Sequence, residues 1–308
     1  MKHRADVRSF FIVATYFALA ATLWIWWPTS WALRAALIAV LCWSSWLVAT
    51  ITHNTIHSPV FHRRGWNRLF QIALTLGYGH PVSAYVPGHN LSHHRYMQTE
   101  RDVMRTTKLR FRWNLLNGLF FLPAVSIAIL KNDRSFIRHM KDLRPDWYRQ
   151  LQLETAVFAA VSVALLVLDW RKFLLLWQLP HLFSAFGIIT INYLQHDGCD
   201  TDHEYNHSRN FTGKFLNYVT CNNGYHTAHH MRPDCHWSQL PEMHRTEVMP
   251  HMDPRLDEPS ILAYIWRAFV WPGRRLRFDG KPVVVPPAAE DVSWVPTDGL
   301  PPGVSLGA

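Results

Sequence analysis

Nine of the chain's nineteen histidines fall into four short clusters. They are His53-Asn-Thr-Ile-His57, His89-Asn-Leu-Ser-His93-His94, Asn192-Tyr-Leu-Gln-His196 and His226-Thr-Ala-His229-His230. Residues three or four apart on a helix are surface neighbours, so such a cluster can present its imidazoles on one face and grip a metal ion. Nine imidazoles are more than one tetrahedral ion takes and enough for two. Neutral imidazole suits Zn, Cu, Fe and Ni alike, so ligand type leaves the metal open. Zinc-protease chemistry needs Glu directly after the first His of an HxxxH pair, and that position holds Asn54 and Asn90. Soluble di-iron bundles use carboxylates with Glu-x-x-His. No Glu lies within any cluster here, so a pair of irons would be held almost wholly by imidazole. The other ten histidines, His3, His62, His80, His139, His181, His203, His207, His236, His244 and His251, have no such spacing and read as packing or hydrogen-bonding residues. His181 stands out among them because it falls inside an apolar run.

The elements that must position these clusters are membrane helices. Residues 9–27, 31–51, 151–170 and 173–194 form four apolar runs. Each is close to the roughly 20 residues a helix needs to cross about 30 Å of hydrocarbon. The first run follows a basic start, as a signal peptide would. However, it is long and ends in WIWWP instead of a small-residue cleavage site, so a retained span is expected. Cys42, Cys199, Cys221 and Cys235 form no CxxC pair, which leaves zinc ribbons and dithiol redox chemistry without support.

The formal charge of +9 is concentrated after the second cluster and before the third run, while the connections 28–30 and 169–172 carry no charge and a net charge of only +1, respectively. The positive-inside rule then places both termini, the central segment and all four clusters on the cytoplasmic face, with the spans forming two hairpins. Residues 113–130 could span by length, but basic blocks flank both sides, and Asn117, Gly118 and Pro123 suit an in-plane or re-entrant helix. The expected fold is therefore all-α and integral to the membrane: four transmembrane helices in two hairpins, interfacial helices and a cytoplasmic His-rich cap. A single membrane-embedded catalytic domain would cover 1–283, with residues 261–269 as a short amphipathic surface helix. The proline-rich residues 284–308 read as a disordered tail. Runs such as Leu41-Cys42-Trp43 and Phe183-Ser184-Ala185-Phe186-Gly187 could wall a tunnel for an apolar chain. Nothing in the sequence points to nucleic acid. A histidine-based metal transporter or sensor would place its ligands in mid-span along a pathway, whereas these clusters sit at span ends and beyond them.

This pattern resembles the membrane fatty acid desaturase and hydroxylase superfamily, which has three histidine boxes around two hydrophobic hairpins. The likeness runs from the first span to about Met243. It rests on HxxxH at His53–His57, HxxxHH at His89–His94, HxxHH at His226–His230, and the Asn192/His196 pair. The resemblance implies a non-haem di-iron centre with His53, His57, His89, His93, His94, His196, His226, His229 and His230 as ligands. It also implies a catalytic role for Asn192, acting on the metal through a water. The implied reaction is O2-dependent oxidation of a lipid hydrocarbon chain, with fatty acyl desaturation as the leading form. Removal of a second hydrogen from the adjacent carbon gives an alkene. Oxygen insertion would instead make the protein a hydroxylase, ketolase or other oxygenase of an alkane, fatty acid or carotenoid. The NYLQHDG run also resembles the signature of membrane alkane hydroxylases, and the three residues between the first two histidines of the second box depart from the spacing common in acyl-CoA desaturases. The chain has no flavin, dinucleotide, iron–sulfur or fused haem motif, so electrons would come from an external donor such as a ferredoxin or a cytochrome b5-type protein.

Overall fold

The computed structural model describes residues 1–295, except for the side chain of Asp133. The helices are α1 (Asp6–Ile25), α2 (Trp31–His57), α3 (Arg64–Tyr78), α4 (Val82–Val86), α5 (His94–Tyr96), α6 (Asn114–Leu143) and α7 (Pro145–Leu168). They continue with α8 (Trp170–Phe173), α9 (Leu179–His196), α10 (Lys214–Val219), α11 (His226–Met231), α12 (Leu240–Met243) and α13 (Ile261–Ile265). Pro87–His93 forms a π-helical stretch between α4 and α5, and Leu174–Gln178 forms another between α8 and α9. Two short strands, β1 (Asn210–Phe211) and β2 (Asp257–Glu258), pair in parallel.

Among the described residues, five helices are long and apolar enough to cross a membrane: Asp6–Ile25, Trp31–His57, Asn114–Asn132, Pro145–Leu168 and the continuous Trp170–His196. Four of them contain or overlap the expected spans. The fifth is the segment expected to lie in the membrane plane, which by length and composition alone qualifies as a span. Helix α7 is the clearest membrane element, since only 11% of its most apolar window is buried and Val167 is 80% exposed. So much outward-facing aliphatic surface is stable against lipid and costly in water. The protein is a multi-pass membrane protein.

Packing groups the described residues into two units. The first comprises 1–86 and 139–188, and the second 87–138 and 189–295. In the first, α2 runs six residues past its expected end, which places His53 and His57 in its last two turns. Ser45 Oγ donates to the Gly77 carbonyl at 2.7 Å, joining α2 to α3. The buried Glu154 of α7 accepts from Ser83 N at 2.8 Å and from Gln150 Nε2 at 2.9 Å, placing a carboxylate at the N-terminal turn of α4. Gly79 closes α3 at φ +90°, and a Cβ there would lie 2.3 Å from the His181 ring. His181 Nε2 lies 3.0 Å from the Leu76 carbonyl, so this intramembrane histidine is held by packing and backbone.

In the second unit, the Tyr193 hydroxyl donates to Asn114 Oδ1 at 2.9 Å and its ring packs on Phe121, which ties α9 to the start of α6. The proline-rich segment from Val284, expected to be disordered, has no regular structure but is held as far as it is described. Arg105 Nη2 donates to the Ala289 carbonyl at 2.6 Å, Val292 N donates to the Glu100 carbonyl at 3.0 Å, and Trp294 is buried against Phe136. A tail carbonyl that the proline-rich chain cannot pair internally is satisfied here by arginine, and a tail N–H by the Glu100 carbonyl. The rest of that tail, 296–308, lies outside the described residues.

Candidate metal centre

Seven of the nine clustered histidines lie in the second unit, and they sort into two groups. In one, ligand atoms of His93, His196, His226 and His230 all lie within 4.8 Å of one another. His226 Nε2 is 2.9 Å from His196 Nε2 and 3.1 Å from His230 Nε2. In the other, His94 Nε2 is 3.1 Å from both His89 Nε2 and His229 Nε2. The His94 and His230 rings stack at 4.2 Å, so the groups are adjacent. Such convergence of imidazole nitrogens in a buried site fits a cation, because lone pairs pointed at one another need a positive partner between them.

The grouping departs from simple i, i+4 pairing. His89 and His93 were expected to share one face, yet His89 joins His94 and His93 joins the other group. The cause is the π-helical backbone of Pro87–His93, whose wider i→i+5 turn brings residues five apart onto the same side. In α11 the backbone is α-helical, and His226 and His230, four apart, do share a group while His229 turns to the other. The second and third boxes thus each feed both groups. His53 and His57, in the first unit, have ring centroids 5.4 Å apart, as one turn of α2 requires.

Asn192, one turn before His196, places Nδ2 2.9 Å from His93 Nε2, so its side chain does point into the first group. The groups that hold these imidazoles from behind carry no spacing signal in the sequence. Asp102 and His93 are fully buried, with Asp102 Oδ2 3.0 Å from His93 Nδ1. The carboxylate also accepts Gln98 N at 2.8 Å and Met104 N at 2.7 Å. Burial alone would push its carboxyl up, but His93 beside it and these hydrogen bonds hold it below the usual carboxylate range. His196 Nδ1 lies 3.3 Å from the carbonyl oxygen of His207, one of the ten histidines read as packing residues. Burial lowers the His207 pKa to about 4, with His93 and His203 adding to the shift. Burial, and then its imidazole neighbours, likewise keeps His230 well below the ordinary histidine value. It is therefore neutral near pH 7, which is the form that ligates metal.

The scaffold around these residues is tightly determined. Asp197, directly after His196, is bonded to Arg275, and both side chains are almost fully buried. Arg275 extends to the Leu109 and Thr106 carbonyls at 2.7 and 3.0 Å, which ties the end of α9 to the loop after the second box. Gly198 then turns the chain at φ +74°, and a Cβ there would sit 2.5 Å from the Leu276 carbonyl oxygen. Thr227 N donates to Asn210 Oδ1 at 2.9 Å, which seats α11 on β1. The proposed tunnel wall fares differently. A Cβ on Gly187 would lie 2.4 Å from the Trp46 indole, so the indole occupies the space the glycine leaves. Phe183 and Trp43 are 42% and 41% exposed and face outward.

Fold and site together define a multi-pass membrane protein with a histidine-built candidate metal centre. The sequence profile of the fatty acid desaturase family matches residues 25–259, and the chain belongs to that family. It is 25% identical over 236 residues to a sphingolipid delta(4)-desaturase of Candida albicans, an alignment covering 70% of this chain and 61% of that protein.

Proposed function

We propose that the protein is an O2-dependent di-iron oxidoreductase acting on a lipid hydrocarbon chain, and that it is a fatty acyl desaturase. The observation that carries this is the sorting of seven imidazoles, five of them buried and two half-buried, into two adjacent groups within one unit. A transporter would instead string its ligands along the spans. We assign one iron to His93, His196, His226 and His230, with Asn192 acting through a water. The other iron is assigned to His89, His94 and His229 together with His53 and His57. The last pair is included because of its HxxxH spacing and its match to the family's first histidine box. Family membership and a relative named as a desaturase support desaturation over hydroxylation.

Bound there, two irons would supply the redox chemistry that couples O2 reduction to C–H cleavage. With two electrons from an external donor and two protons, O2 leaves as two waters while adjacent chain carbons lose two hydrogens. The chain's own residues prepare the site. Burial keeps imidazoles such as His230 neutral and available as donors. Asp102 accepts a hydrogen bond from the Nδ1–H of His93, so that Nε2 carries the lone pair facing the centre. The His207 carbonyl does the same for His196. The donor is an external carrier of the ferredoxin or cytochrome b5 type, and residues 1–283 act as a single catalytic domain.

We also place the active site and both termini on the cytoplasmic face, with residues 113–130 lying in the plane of the membrane. Cysteine labelling at Arg105 and Lys141 should report the same side, and opposite sides would refute that topology. The function itself is tested on purified protein by iron analysis and product mass spectrometry. Two irons per chain and an unsaturated acyl product dependent on O2 and reductant are expected, with His226→Ala inactive. One zinc per active chain, or turnover without O2, would overturn the reading.

A further inference from the structure

A cavity of about 490 Å³ in the second unit has none of the nine clustered histidines in its lining. Five arginines line it against only two carboxylates. Three of the arginines are already paired: Arg255 with Asp253 at 2.7 Å, Arg277 with Asp200 at 3.7 Å, and Arg267 with Glu258. Asp257, the other carboxylate, faces His244 Nε2 at 3.0 Å and Asn210 Nδ2 at 3.1 Å. Arg209 and Arg274 form no ion pair among the described residues. Arg274 is exposed, while Arg209 is 2% exposed.

Arg209 is the unusual group. Its Nη1 donates to the Leu194 and Asp197 carbonyls at 2.6 and 3.1 Å, and its guanidinium carbon lies 4.4 Å from the centroid of the Tyr264 ring. Its buried Nε has no hydrogen-bond partner among the described residues. A guanidinium stays charged in proteins, and a buried charge without a counter-charge is costly. Capping the carboxyl end of α9 offsets part of that charge, since a helix terminus carries only about half a unit. Asp197 itself is engaged by Arg275 and cannot supply the remainder.

We propose that this cavity binds a phosphate-bearing anion, with Arg209 as its buried anchor and Arg274 as the exposed arm. The planar donor fork of arginine matches phosphate oxygens. Leu276 and Phe278 in the lining leave apolar surface for the group that carries the phosphate. A soluble phosphate ester and a phospholipid headgroup share this chemistry.

The test uses the full chain in detergent at constant ionic strength. Binding of inorganic phosphate is measured directly and by thermal unfolding against chloride. A parallel arm uses nanodiscs of phosphatidylcholine with and without phosphatidic acid. We expect a phosphate-dependent rise in the unfolding temperature, and Arg274→Glu should weaken binding at least about tenfold without changing iron content. Arg209→Lys, which keeps the charge but loses the fork, should also weaken binding. If Arg209 variants fail to fold, the surface variant still decides. A response to inorganic phosphate supports the site with a soluble ligand. A response confined to phosphatidic acid, and lost in Arg274→Glu, supports it with a lipid headgroup. No response in either arm, or an Arg274→Glu response equal to wild type, overturns the proposal and leaves Arg209 as a cap on α9.

Discussion

Replacing Asp102 with Asn tests whether the carboxylate behind His93 sets the candidate centre. The substitution is nearly isosteric, and the site is fully buried, so water cannot compensate. Asp102 Oδ2 accepts from His93 Nδ1 at 3.0 Å and Gln98 N at 2.8 Å, while Oδ1 accepts from Met104 N at 2.7 Å. All three partners are donors when His93 presents Nε2 to the centre. An amide has one acceptor oxygen and one donor group. If its oxygen faces His93 and Gln98, its NH2 meets the Met104 N–H. If it is flipped, its NH2 meets two donors. Either way a buried donor is left unsatisfied at a cost of about 1–3 kcal/mol. The alternative is for His93 to switch tautomer and withdraw its Nε2 lone pair from the centre. Loss of such an orienting partner typically costs about 10–100-fold in metal affinity. Chelator-competition titration of purified Asp102→Asn should therefore show one weakened iron and one retained, with turnover falling in parallel. Circular dichroism should confirm that the helical content is kept. Two irons held with wild-type affinity and unchanged turnover would refute the role given to Asp102.

Asn192→Ala should reduce turnover by about 10–100-fold while expression and helix content hold, and an unchanged rate would make Asn192 an ordinary polar helix residue. Stability should also depend on pH through His207, whose folded pKa of about 4 lies below the ordinary 6.5. Between those values the unfolded chain binds the extra proton, so this contribution, on the order of 3 kcal/mol, is complete above pH 6.5 and is lost as the pH falls toward 4. Thermal unfolding across that window should show the decline, and His207→Gln should flatten it. Asp197→Asn leaves the buried Arg275 without its counter-charge, which typically costs about 3–5 kcal/mol. A sharply lower unfolding temperature or loss of folded material after solubilisation is expected, and wild-type melting would remove the pair from the scaffold.

The sequence by itself determines the ligand chemistry and its density. Histidines at turn spacing, without carboxylates, already exclude zinc proteolysis and the soluble di-iron type, and the apolar runs already imply a multi-pass membrane protein. These properties are local: the side-chain types, the 3.6-residue period and the length of a run are all contained in the segment that carries them. Which imidazole joins which group is not local. His93 parts from His89 because the backbone between Pro87 and His93 takes a π turn, a choice made by packing and invisible in the HxxxHH spacing. Asp102 carries no spacing signal at all, since its role depends on a loop folding back nine residues to meet His93 Nδ1. Gly187 reads as open space in a tunnel until Trp46 from another helix fills it. The buried guanidinium of Arg209 is unexceptional in sequence and becomes conspicuous only when every nearby carboxylate is seen to be engaged elsewhere. Local chemistry can be read from the order of residues. Its partners, drawn from segments tens of residues apart, are decided by the tertiary structure, because a buried donor, charge or lone pair acquires its meaning only from what is brought to face it.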